Sequence, residues 1–188
     1  MTITTASVVR LALLLLLGGI IQLSAVSQIT VFGVSADLTP LLVTSAGFMA
    51  GSVTGAVVGF ALGLFVDVNL SQTLGVTSLA LVAVGYGAGR IRELRDPAHG
   101  LAPVAVGAAG TAVAAVIFTL LQFLLGVQAP VSMLLLREIL LTIVLNTLIV
   151  LPVYALMRRA LLPFLPDDPR RRRRRAYTTG GLSPLTRA

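Results

Sequence analysis

Long apolar runs, separated by short clusters of charge, proline or glycine, set the pattern of this chain. The first covers residues 8 to 27, with Arg10 near its start. About 20 apolar residues are what a helix needs to cross a hydrocarbon core. The sequence around Ser24, Ala25 and Val26 lacks a small-x-small cleavage pattern, so this run is read as a retained helix and not as a signal peptide. Residues 73 to 90, 102 to 126 and 134 to 157 make three more spans, each bounded by charge, Pro or Gly.

The stretch from 38 to 67 admits two readings. As one helix it would be about 45 Å long, well beyond a core of about 30 Å, and as two it gives helices of roughly 14 residues each. Charge parity separates them. The loop from 90 to 97 and the C-terminal tail are rich in arginine, which places both in the cytoplasm. With Arg10 also inside, an even number of crossings precedes residue 90, so residues 38 to 67 cross twice and turn near Gly51 and Ser52. The expected fold is an all-α polytopic membrane protein, with six transmembrane helices in a compact bundle, short loops and both termini cytoplasmic. The alternative has five spans, with one long tilted helix over 38–67. Residues 1–166 form the integral membrane domain, and residues 167–188 a disordered, arginine-rich cytoplasmic tail.

Gly47, Gly51, Gly55, Gly59 and Gly63 stand at strict four-residue spacing inside that stretch. Small residues on one helical face let backbones approach closely where lipid removes any apolar drive between helices. The ladder therefore predicts a packing face, for another helix of this chain or for a partner's.

Composition supports the membrane reading. Apolar residues are 56% of the 188 positions and charged residues 11%. Mean hydropathy is +0.98, and a soluble domain carries about 25% charged residues. The net charge of +7 does not point to nucleic acid, because the arginines flank apolar spans. Cysteine is absent, which excludes disulfides and thiolate chemistry.

Candidate functional groups are few. Asp37, Asp67, Asn69, Gln72, Gln128, Arg137 and Glu138 fall near the extracytoplasmic boundary of the six-span arrangement. Of these, Asp37, Asp67 and the Arg137/Glu138 pair are the candidates for a polar rim that a partner reads, against the plainer reading as residues marking helix ends. Asp37-Leu38-Thr39-Pro40 reads as a helix start, an N-cap followed by a proline in the first turn. Asn146 and Pro152 suggest a helix–helix hydrogen bond and a kink. The glycines of GYGAGR, Gly85, Gly87 and Gly89, lack the flanking elements of a phosphate loop and are read as packing positions. His99 stands alone, and no catalytic or metal-binding set can be assembled, so neither an enzyme nor a cofactor is expected. Arg170, Arg171, Arg172, Arg173, Arg174 and Arg175 should hold the tail against anionic lipid, at about 1 kcal/mol per basic residue.

These elements in this order resemble the rod shape-determining protein MreD family. The likeness rests on Asp37-Leu38-x-Pro40 opening the second helix, GAVVGFALGLFVD from Gly55 to Asp67, Leu74-Gly75, and GYGAGR ending the next helix. The resemblance implies a non-catalytic membrane component of the bacterial elongation machinery. Its implied partner is an MreC-like bitopic protein, and through it a class B penicillin-binding transpeptidase and a RodA-type glycosyltransferase. It carries over Asp37, Pro40, Gly59, Gly63, Asp67 and Gly75 without assigning their individual roles. A different expectation is the substrate-binding membrane subunit of a vitamin transporter of the energy-coupling factor type, which would need a polar or aromatic pocket opening to the outside.

Overall fold

The computed structural model describes residues 5–24, 30–31, 34–71, 73–94, 102–126 and 133–161. Six helices follow one another: α1 Thr5–Ser24, α2 Leu38–Ala50, α3 Ser52–Asn69, α4 Val76–Leu94, α5 Ala102–Leu124 and α6 Met133–Leu161. Between α1 and α2 lies a small antiparallel pair, β1 Thr30–Val31 and β2 Val34–Ser35, which the apolar pattern does not announce.

The long helix over 38–67 does not form. The chain breaks at Gly51, whose φ of 100° and ψ of 172° belong to a region that is essentially glycine's alone. There it folds back, so that Gly47 and Gly55 lie against each other across the turn. The two arms are unequal, 13 residues in α2 and 18 in α3.

A helix apolar all round belongs in an interior, and α2 occupies it: every residue from Thr39 to Met49 is buried. It touches all five other helices. The core is built on it, with Leu42, Val43, Ala46 and Met49 packed against Leu15 of α1, Val58 and Leu62 of α3, Leu81 of α4 and Met157 of α6. The outer helices turn large apolar side chains outward, among them Leu13 and Leu17 on α1, Phe60 on α3, Val116 and Leu120 on α5, and Leu140 and Leu148 on α6. Ser52–Asn69, Ala102–Leu124 and Leu136–Ala160 are long and apolar enough to cross a membrane, whereas the apolar parts of α1 and α2, Leu11–Ser24 and Leu38–Ala50, are shorter.

Candidate functional site

Pro40 creates the first requirement of the site. It has no N–H to return to the carbonyl of residue 36, and Ala36 and Asp37 precede the first turn of α2, so the polar groups at this helix start need partners from elsewhere. Two side-chain amides supply them. Gln22 of α1 donates through Nε2 to the Ala36 carbonyl at 3.2 Å and accepts through Oε1 from Leu38 N–H at 2.8 Å. Asn146 of α6 accepts through Oδ1 from Asp37 N–H at 3.0 Å and donates through Nδ2 to the Asp37 carbonyl at 2.8 Å. Each amide thus replaces the edge of a neighbouring strand. Asp37 caps α2 itself, its Oδ1 accepting Thr39 N–H at 2.9 Å. The chain of bonds continues from Asn146 Nδ2 to Thr111 Oγ1 of α5 at 3.1 Å, and from that hydroxyl to the Gly107 carbonyl at 3.0 Å.

This clamp lies deep. Asn146 is wholly buried, and Thr111 nearly so. At 1.5 Å per residue it stands about 13 Å along α6 from Arg137 and about 18 Å from Arg158, the charges that bracket the helix's apolar stretch. Asp37 therefore sits against the middle of α6, apart from Arg137 and Glu138, and does not join a rim with them. It comes to lie there because α2 is only 13 residues long and the chain enters the bundle through β2 before it becomes helical.

The glycine ladder is spent within the chain. A Cβ at Gly47 or Gly55 would run into the Gly85 carbonyl oxygen, one at Gly59 into the Leu81 carbonyl, and one at Gly63 into the Ser78 backbone. From the other side, Gly85 abuts the Gly55 carbonyl and Gly89 abuts Ser52. Backbone meets backbone along the whole α3–α4 contact, so helix packing is the use the geometry makes of these glycines and of GYGAGR. Gly51 serves the turn. Gly87 is different, with open space where its Cβ would be.

Asp67, at the far end of α3, is fully buried. Its Oδ2 accepts the Gly75 N–H at 2.8 Å, which ties the α3–α4 turn shut, and its Oδ1 has no partner among the described residues. Gly75 is needed for its φ of 94° and not for space. The structure thus joins two expected positions, Asp67 and Gly75, whose connection nothing in their spacing reveals. Arg137 and Glu138 are exposed on the first turns of α6. Asp67 is held by the α3–α4 turn and Asp37 by α6.

At the opposite end, α3 starts at Gly51 without a side-chain cap of its own. Glu93 of α4 provides one, its Oε1 accepting Ser52 N–H at 2.9 Å and Ser52 Oγ–H at 2.7 Å. Oε2 pairs with Arg90 at 3.3 Å. The Ser52 backbone N–H, then its hydroxyl, and less strongly Arg90, hold the Glu93 carboxyl below its usual value of 4.5.

Sequence reasoning missed Glu93 as a functional group, although it is the single acid among Arg90, Arg92 and Arg95. Gln22 is one of the few polar residues inside the apolar runs. Among the described residues no group of three His, Cys, Asp or Glu side chains could hold a metal ion. Arg170 to Arg175, His99, Gln72 and Gln128 lie outside the described residues. The arrangement offers hydrogen-bond positioning of a buried half-length helix.

Comparison with protein-family models matches the chain to rod shape-determining protein MreD over residues 2–160. No curated protein matches, and no solved structure does.

Proposed function

Since the chain belongs to the MreD family of rod shape-determining proteins, we propose that it is a non-catalytic membrane scaffold that helps direct lateral peptidoglycan synthesis. Family membership makes it a bacterial membrane component of the system that determines rod shape. The observation that carries the reading is the reach of the family match, which runs from residue 2 to residue 160 and so takes in all six helices.

The chain crosses the membrane six times, with both termini in the cytoplasm. In this arrangement β2, Ala36 and Asp37 complete the crossing that α2 is too short to make alone. Non-helical backbone at membrane depth is tolerated where it is buried in protein and its polar groups are paired, which is what Gln22 and Asn146 accomplish. An MreC-like bitopic protein is the direct partner, with a class B penicillin-binding transpeptidase and a RodA-type glycosyltransferase in the same assembly. Arg137 and Glu138, exposed at the outer end of α6, are the polar groups offered to that partner. The glycine ladder and Asp67 hold the scaffold's own shape.

The test is a tagged pull-down of the full chain from native membranes in mild detergent, with co-purifying proteins and small molecules identified by mass spectrometry. Recovery of an MreC-like bitopic protein is expected. Replacing both Arg137 and Glu138 by alanine should reduce that recovery without changing thermal stability. Recovery of a transporter ATPase pair or a bound vitamin instead would overturn the scaffold reading.

A further inference from the structure

Arg137 is placed against the charge rules of its own helix. It follows Met133, the first residue of α6, by one turn. Helical side chains lean back toward the N-terminus, which brings a cation here toward the positive end of the helix dipole. In the six-crossing arrangement it is also an arginine at the extracytoplasmic boundary, against the usual bias of basic residues to the cytoplasm. The helix itself does not offset this. No acid stands three or four residues from Arg137, the spacing at which helical side chains meet. Glu138 is turned about 100° round the helix from it, and among the described residues Arg137 makes no ion pair.

The face on which Arg137 stands is apolar and uncovered. Among the described residues of α6, the buried ones are Asn146, Val150 and Met157, which share the side turned to the bundle. Met133, Leu140, Val144 and Leu148 lie with Arg137 on the opposite side, and all five are exposed. Steps of four, three, four and four residues from Met133 to Leu148 keep them in one line, the kind of stripe along which two helices cross at about 20°. A lipid tail covers such a stripe without using the cation. A neighbouring helix with a carboxylate at its outer end uses both, because its side chains interlock with the stripe and its two oxygens match the planar guanidinium.

We propose that a partner's single transmembrane helix lies along the α6 face of Met133, Leu140, Val144 and Leu148, and that an aspartate or glutamate at its extracytoplasmic end pairs with Arg137. The proposal rests on the scaffold reading, in which that helix belongs to the MreC-like bitopic protein. It separates the two outer polar groups of α6: Arg137 makes the contact and Glu138 does not.

The test is photocrosslinking in native membranes, with benzoylphenylalanine in the full chain in place of Val144 or, as a control, of Phe60, which is exposed on α3. Adducts are identified by mass spectrometry. The expected result is an adduct from Val144 to the single span of the bitopic protein, a span with Asp or Glu at its outer end, and none from Phe60. Arg137→Gln should lower the yield from Val144 about fivefold, whereas Glu138→Gln should leave it unchanged. Both side chains are exposed, so thermal unfolding midpoints should not move in either variant. Equal adducts from both positions, adducts only to lipid or to a second copy of this chain, a captured span without an outer acid, or a yield indifferent to Arg137→Gln would overturn the proposal. Recovery of the bitopic protein in the pull-down without an adduct from Val144 would leave the scaffold reading standing and remove this surface. Its absence from both experiments would count against the scaffold reading and the surface together.

Discussion

Asn146 shows how much a single side chain decides when backbone enters a bundle before it is helical. Its amide meets both backbone polar groups of Asp37, and its Nδ2 also meets Thr111. Asn146→Asp keeps the size but replaces that donor with an acceptor, facing the Asp37 carbonyl and the Thr111 hydroxyl. A buried group left unmatched costs about 1–3 kcal/mol, and more when charged. Asn146→Asp should therefore destabilise the detergent-solubilised protein by about 3 kcal/mol, more than Asn146→Ala, as read from thermal unfolding midpoints. Equal midpoints for wild type and Asn146→Asp would remove the clamp from the account of the fold. The glycines obey a different logic, that of space. Gly59→Leu drives a side chain into the Leu81 backbone, where forcing extra methylenes into a packed contact costs about 3 kcal/mol or more. Gly87→Leu meets open space and should be near neutral in the same assay.

At the scale of elements, the α2–α3 hairpin is held by a cap borrowed from α4. Glu93 accepts from Ser52 only as long as its carboxylate is ionised and available. Its carboxyl is depressed in the folded protein, so the folded state binds a proton there less readily than the unfolded one. The stabilisation is therefore complete above the ordinary value of 4.5, and is lost as the pH falls below it through the folded value. As the pH falls below 4.5, wild type should lose thermal stability in excess of the loss shown by Glu93→Gln, which does not titrate. Identical pH profiles for the two would show that the cap contributes nothing. The ladder explains why the same hairpin needs no apolar drive: with Gly55, Gly59 and Gly63 facing α4, the backbones come close enough for dispersion along the whole contact.

For the whole molecule, the question is which ends lie on which side of the membrane. The chain contains no cysteine, so each introduced thiol reports alone. Ser71, in the α3–α4 turn, and Leu94, at the end of α4, are both exposed. Six crossings with cytoplasmic termini require that Ser71→Cys react with an impermeant maleimide in intact spheroplasts, and that Leu94→Cys react only after permeabilisation. The reverse pattern would invert the proposed topology. The interior of the bundle matters at this scale too. The groups that looked available for a partner, Asp67 and the ladder, are already engaged inside the bundle.

The membrane class, the helices over 102–126 and 134–157, the break near Gly51, the cap at Asp37 and the family resemblance were all legible in the sequence. Each is written locally: in run length, in the one residue type that tolerates a φ of 100°, or in an N-cap two residues from the N–H it satisfies. Tertiary structure alone decided what those features meet. Gln22 and Asn146 are 16 and 109 residues from the backbone they clamp, and Glu93 is 41 residues from the helix it caps. No periodicity links such positions. A ladder of glycines likewise promises a close approach without naming the helix that makes it, because close packing needs only space on one side and is specified by the shape of the other. Only the folded chain shows that α4 fills the space and that Asp37 lies against Asn146 in the middle of α6, since both follow from where the shortest helix comes to rest among five longer neighbours.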